Sequence, residues 1–181
     1  MNGSSWSKLS QKMSDILKKL SGSDLRSIGQ LDEVIQDTKN DPSLFEDLIY
    51  GMLNSDPIIR MRAADAIEKI TVENSDLLQP NKSVIIEEAA LIDQQEVRWH
   101  IAQIIPRLDL NARERVEIVE ILKQYLKDNS KIVKTFSMQA LADLTKKDKS
   151  LRPNVIAIIK ESIENRSPAM VSRGKRLLVE L

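Results

Sequence analysis

Four twelve-residue segments of the chain share one pattern of apolar and polar positions. Each begins with an apolar residue, places small or apolar residues four, seven and eight positions later, and ends on an aliphatic residue. This spacing is typical of an α-helix that buries one stripe of its surface. The segments are IRMRAADAIEKI (59–70), VRWHIAQIIPRL (97–108), VKTFSMQALADL (133–144) and MVSRGKRLLVEL (170–181). Successive segments start 38, 36 and 37 residues apart, which indicates a repeated unit.

Another amphipathic segment precedes each of these four. The preceding segments are LFEDLIYGML (44–53), SVIIEEAALI (83–92), RVEIVEILKQYL (115–126) and NVIAIIKESI (154–163). Short polar turns separate the two members of every pair, which predicts pairs of antiparallel helices. Asp41-Pro42, Asp56-Pro57 and Ser167-Pro168 each offer a capping side chain followed by proline at the first helical position. Pro106 lacks a backbone N–H and should kink or end the helix that contains it.

Paired helices with a period of about 37 residues resemble the HEAT-repeat family. Ile59-Arg60 and Val97-Arg98 match the aliphatic–Arg opening of that family's second helix, Val133-Lys134 matches less well, and the fourth segment has Met170-Val171 instead. Acidic residues in the turns, Asp56, Asp93 and Asp128, are also similar to the family's. The resemblance implies an all-α chain forming a short right-handed α-solenoid, a superhelix of about five antiparallel helix pairs.

The resemblance covers residues 40–181 as four units within one continuous domain, at about 41–74, 75–110, 111–147 and 148–181. Residues 1–39 are then a degenerate first pair that caps the array, with helices expected in 6–20 and 24–38. The alternative is an ordinary helical bundle whose periodicity is accidental.

Composition fits a soluble, folded, helical chain. Of its 181 residues, 41% are apolar, 30% are charged and only 3% are aromatic, so the core must consist of aliphatic residues, alanine and methionine. With 5 Gly and 6 Pro, the chain has too few turn residues for an all-β protein. No signal peptide and no apolar run of membrane-spanning length is present. We therefore expect a cytoplasmic protein without membrane contact.

The charges are separated along the chain although the formal net charge is zero. Residues 24–96 carry 6 basic and 16 acidic side chains, whereas residues 97–181 carry 17 basic and 10 acidic ones. The acidic part would repel phosphates, which argues against a nucleic-acid-binding surface along the whole chain.

In HEAT-repeat proteins the second helices line the inner, concave surface. The third, fourth and seventh places of the four segments fall between the buried positions, so we expect them to face outward onto that surface. Trp99 and His100 should therefore be exposed, beside the phenyl ring of Phe136 and two glutamines. The side chains expected to bind a partner are Met61, Arg62, Trp99, His100, Gln103, Phe136, Gln139, Arg173 and Arg176. The alternative is that Trp99 and Phe136 seal the boundary between neighbouring units.

No arrangement of residue types indicates catalysis, a cofactor or a metal. The chain has one histidine and no cysteine, so His100 lacks the second histidine or thiolate expected of a metal site. The glycines are isolated, without a phosphate-binding loop. We expect a non-catalytic module whose concave surface binds a peptide or protein.

Two other kinds of function stay open. An AlkD-like DNA glycosylase would use Trp99 and Asp65 on the same surface. A nucleic-acid binder would use the basic side chains near the C-terminus, which are Lys146, Lys147, Lys149, Arg173, Lys175 and Arg176. A structural subunit would self-associate through its C-terminal repeat, because no polar capping repeat follows Leu181.

Overall fold

A computed structural model describes residues 14–22, 27–164 and 168–181. This described part is all-helical and has no β-strand, so the all-α prediction is confirmed. Its ten α-helices are α1 (Asp15–Leu20), α2 (Leu31–Asn40), α3 (Phe45–Gly51), α4 (Pro57–Glu73), α5 (Lys82–Glu87), α6 (Gln95–Ile104), α7 (Ala112–Tyr125), α8 (Lys131–Lys147), α9 (Arg152–Ile163) and α10 (Pro168–Glu180).

The predicted helix starts follow local capping chemistry. The Asp56 carboxylate accepts a hydrogen bond of 2.8 Å from the backbone N–H of Ile58, and α4 opens at Pro57 as predicted. Asp41 accepts from the N–H of Ser43 at 3.1 Å, but Pro42 opens a short 3-10 turn ahead of α3. The predicted cap at Ser167 lies outside the described residues.

Two of the predicted helices end early. Helix α6 stops at Ile104, and a 3-10 turn over Ile105–Arg107 contains Pro106, as its missing N–H predicts. The helix expected over 83–92 is instead α5 followed by a 3-10 turn over Ala89–Leu91. The carbonyl of Ala90 in that turn accepts a hydrogen bond of 2.6 Å from the hydroxyl of Tyr125, so the break leaves this acceptor satisfied.

The helices pack in a regular order. Helix α4 contacts α6, α6 contacts α8 and α8 contacts α10, while α3, α7 and α9 each contact the helix that follows them. The buried side chains form one apolar cluster that extends from Ile16 to Leu177. Alanines on α4 are fully buried where helices approach each other closely. Stacking of neighbouring helices therefore produces a single continuous core.

The N-terminal part of the chain packs against α4 through α1 and α2. The helix predicted over 24–38 begins only at Leu31, because residues 27–30 are not helical and Gly29 has a φ of 60°. The remaining parts of the two predicted helices fall in residues 1–13 and 23–26, which lie outside the described residues. The predicted unit boundaries stay predictions. None of the helices described has both the length and the apolar character needed to cross a bilayer.

Candidate functional site

In the second, third and fourth segments, the side chain at the fourth position lies near the side chain at the seventh position of the preceding segment. His100 of α6 lies near Asp65 of α4, with possible ligand atoms within 4.8 Å of each other. Phe136 of α8 and Gln103 of α6 line the same cleft. The guanidinium of Arg173 on α10 donates to the side-chain oxygen of Gln139 on α8. Side chains at these two places therefore meet between neighbouring helices.

Arg62, the fourth place of the first segment, has no preceding segment and packs differently. Its side chain is 3% exposed, so the prediction that it faces outward is wrong. The guanidinium donates to the carbonyls of Leu20, Ser21 and Ser27 at 2.8, 2.7 and 2.9 Å. The backbone of Leu20, Ser21 and Ser27 therefore lies against Arg62 and accepts its hydrogen bonds.

Trp99 and His100 are half-buried, so the prediction that they are exposed is only partly right. Trp99 packs against the apolar core, and its ring meets the imidazole edge-on, with centroids 5.5 Å apart. The Nδ1 atom of His100 is buried and has no hydrogen-bond partner. Burial lowers the pKa of His100, although the carboxylates of Asp65 and Glu68 act in the opposite direction. The imidazole is therefore neutral at neutral pH.

A cleft of about 210 Å³ lies between α6 and α8. Phe136 and Pro106 supply apolar surface, and the amide groups of Gln103 and Gln139 supply donors and acceptors. The complete lining is Ala102, Gln103, Pro106, Arg107, Phe136, Gln139, Ala140 and Asp143. We refer to this cavity as the α6–α8 cleft. It combines apolar area with amides and with charges of both signs.

Polar contacts fix the side chains at one wall of this cleft. Gln139 donates to the carboxylate of Asp143 at 3.0 Å and accepts from Arg173. Lys146 forms an ion pair with Asp143 at 2.7 Å. The amide of Gln139 is therefore held in one orientation, and Arg173 lies half-buried next to the cleft.

The structure brings four of the nine predicted binding residues together: Gln103, Phe136 and Gln139 line the cleft, and Arg173 contacts it. Met61 is half-buried on α4, and Arg176 is exposed on α10, 3.9 Å from Glu180.

Sequence reasoning missed Arg107 and Asp143 in the cleft. Both occupy the eleventh place of their segments, four residues after Gln103 and Gln139. Residues four apart lie on the same face of a helix, so helical spacing from the seventh place would have found them.

Arg107 also connects the cleft to α4. Its guanidinium donates to the backbone carbonyl of Glu68 at 2.6 Å, to the hydroxyl of Thr71 at 2.8 Å and to the carboxylate of Glu68. Glu68 also belongs to a cluster of possible metal ligands, which consists of Asp65, Glu68 and His100. Asp65 was named only for the glycosylase alternative, and Glu68 was not predicted as a site residue.

Comparisons with protein-family models, with curated proteins and with solved structures find no match to this chain.

Proposed function

We propose that the protein is a non-catalytic interaction module, a short right-handed α-solenoid of HEAT-like helix pairs. The face formed by α4, α6, α8 and α10 binds a peptide or a protein surface. The α6–α8 cleft is the observation that carries this proposal.

Two hydrogen bonds join side chains that are about one repeat unit apart in the sequence, and they support the solenoid arrangement. The guanidinium of Arg60 donates to the side-chain oxygen of Gln94 at 2.8 Å, and Arg98 donates to Asp128 at 2.7 Å. Each arginine occupies the second place of its segment, and each acceptor lies in the turn before the next second helix. Stacked units depend on such contacts because each unit buries its apolar face only against its neighbours.

The chemistry of the cleft supports a peptide partner. An aromatic ring in a partly enclosed pocket is the kind of residue that contributes most to binding energy. Phe136 provides such a ring, and the neighbouring amides of Gln103 and Gln139 match the N–H and C=O groups of an extended backbone. Arg107 and Asp143 add one charge of each sign, which would orient a bound partner, and ion pairs with Glu68 and Lys146 reduce the strength of both charges.

Affinity capture with matched variants tests the proposal. Immobilised protein is compared with Phe136→Ala, Gln139→Ala and the control Glu120→Ala, whose side chain is exposed on α7. Bound proteins are quantified by mass spectrometry, and circular dichroism checks the helical content. We expect the first two variants to lose the same partners while the control retains them. Equal capture by all folded variants would contradict the proposal.

Self-association is the second candidate function. Val179 on α10 is 87% exposed, and an exposed apolar side chain near Leu178 and Leu181 favours contact with another copy. Sedimentation at several salt concentrations tests this. A monomer under every condition would contradict it.

Nucleic-acid binding has less support. Several basic side chains of the C-terminal half form ion pairs, including Lys146 with Asp143 and Arg115 with Asp148. Ion pairing lowers their capacity to neutralise phosphates.

A further inference from the structure

Three side chains that can bind metal converge between α4 and α6. One ligand atom from each of Asp65, Glu68 and His100 lies within 4.8 Å of the other two. Asp65 and Glu68 are one helical turn apart on α4, and His100 reaches them from α6 because the fourth place packs against the seventh place of the previous segment. The fold therefore assembles a set of ligands that are 35 residues apart in the sequence.

One residue of the cluster, His100, has a buried ring nitrogen without a hydrogen-bond partner. His100 Nδ1 is buried and makes no hydrogen bond, an arrangement that costs free energy unless another group occupies it. The side chains of Asp65 and Glu68 are 20% and 15% exposed. All three groups are thus largely shielded from bulk water, as the ligands of a bound metal ion usually are.

We propose that Asp65, Glu68 and His100 bind a divalent transition-metal ion of the zinc class, with water at the fourth position. Nitrogen and oxygen ligands lie about 2.0–2.2 Å from Zn²⁺, which separates two ligand atoms of a tetrahedral site by about 3.4 Å. Because the ligand atoms of the cluster lie within 4.8 Å of one another, they reach that spacing when the side chains close by at most about 1.4 Å. One imidazole with two carboxylates is a catalytic-type ligand set that leaves one coordination position open.

Two cationic side chains already contact this cluster. Lys69 pairs with Asp65 at 3.1 Å, and Arg107 donates to the carboxylate of Glu68. The Lys69 side chain is 44% exposed and can move away when a metal ion binds. Arg107 is held in place by its hydrogen bonds to Thr71 and the Glu68 carbonyl. It does not bind the metal itself but orients the Glu68 carboxylate that does.

The ligand set also predicts selectivity. Imidazole nitrogen suits Zn²⁺, Co²⁺, Ni²⁺ and Cu²⁺, whereas Mg²⁺ and Ca²⁺ take oxygen ligands. Binding therefore requires His100 and excludes Mg²⁺.

Co²⁺ quenching of Trp99 fluorescence tests the proposal, because this indole lies 5.5 Å from the His100 ring. The chain has two tryptophans, so Trp6→Phe leaves Trp99 as the only reporter. Protein treated with a chelator and then freed of it is titrated with CoCl₂ and separately with MgCl₂. We expect saturable quenching by one equivalent of Co²⁺, competition by Zn²⁺ and no change with Mg²⁺.

Two ligand variants in the Trp6→Phe background identify the site. His100→Gln and Asp65→Asn should each bind Co²⁺ at least about tenfold more weakly, while Glu46→Gln, on the exposed side of α3, should bind as the parent does. Asp65→Asn retains His100, so it tests the site if the histidine variant is unstable. Quenching that never saturates, or that is equal in parent and ligand variants, would overturn the metal site and leave the proposed peptide-binding function unaffected.

Discussion

Arg98 donates a hydrogen bond to Asp128, 2.7 Å away in the turn between α7 and α8. Arg98 also donates to the carbonyl of Ile92 at 3.2 Å, forms an ion pair with Asp93 at 3.0 Å and lies over the Tyr125 ring, 5.5 Å from the centroid. The Asp128 side chain is only 8% exposed, and its carboxylate also accepts from the backbone N–H of Ser130 at 2.7 Å. One guanidinium thus connects α6 to the start of α8.

A double-mutant cycle measures this connection. We expect Arg98→Ala and Asp128→Ala each to lower the free energy of unfolding, with a coupling energy of about 1–2 kcal/mol, because the pair is charged and shielded from water. Urea denaturation of the two single variants and the double variant gives the values. Additivity within about 0.3 kcal/mol would show that the two side chains do not interact significantly.

The Arg98–Asp128 contact joins residues that the sequence had singled out separately, the aliphatic–Arg opening and the acidic turn. The contact between these two side chains was not predictable from the sequence spacing alone, because it depends on how one helix pair packs on the next. The same limit explains Arg62 and His100. Helical periodicity assigns a face relative to one buried stripe, but a helix between two neighbours also buries the side chains at its flanks.

The α6–α8 cleft was predicted in part for the same reason. Gln103, Phe136 and Gln139 were identified because their places recur in every segment. Arg107 and Asp143 were missed because only the third, fourth and seventh positions of the segments were expected to be exposed, and these two residues occupy the eleventh.

Removal of the Arg62 guanidinium should destabilise the chain strongly. Arg62→Ala removes the donor from the buried carbonyl of Leu20 and from the partly buried carbonyls of Ser21 and Ser27, and an unsatisfied buried group costs about 1–3 kcal/mol. Since water can replace some of these bonds, we expect a total loss of about 2–4 kcal/mol in urea denaturation. The exposed Arg176→Ala is the control and should change stability by less than about 0.5 kcal/mol. An Arg62→Ala variant as stable as this control would contradict the assigned role.

Stability should fall as the pH drops below about 6.5. The folded pKa of His100 is lowered by burial, so the unfolded chain, with a pKa near 6.5, takes up the proton first as the pH falls. Stability is therefore complete above about pH 6.5 and decreases below it, by at most about 1.4 kcal/mol per pH unit for one group.

Chemical denaturation of metal-free protein above and below about pH 6.5 measures the effect. His100 is the only histidine, so His100→Gln should flatten the pH dependence above the range where carboxylates titrate. Identical slopes in the two proteins would rule out a depressed pKa at His100.

Gly174 should not tolerate a side chain. It is buried on α10, and an added Cβ would overlap Cγ2 of Ile163 on α9. Although alanine favours helix by about 1 kcal/mol over glycine, overpacking costs about 1–3 kcal/mol. We therefore expect Gly174→Ala to lower the melting temperature. Adding Ile163→Ala should recover part of that loss, and a Gly174→Ala variant more stable than the parent would contradict the close packing of α9 on α10.

Photo-crosslinking tests most directly whether the α6–α8 cleft is the binding face. A benzophenone side chain is placed at Gln103 in the cleft or at Glu120 on α7, and the protein is irradiated in cells that naturally produce it. The cleft position should give defined covalent adducts that disappear in a Phe136→Ala background, and the α7 position should give none of them. Adducts that form equally at both positions, or none at Gln103, would contradict the account.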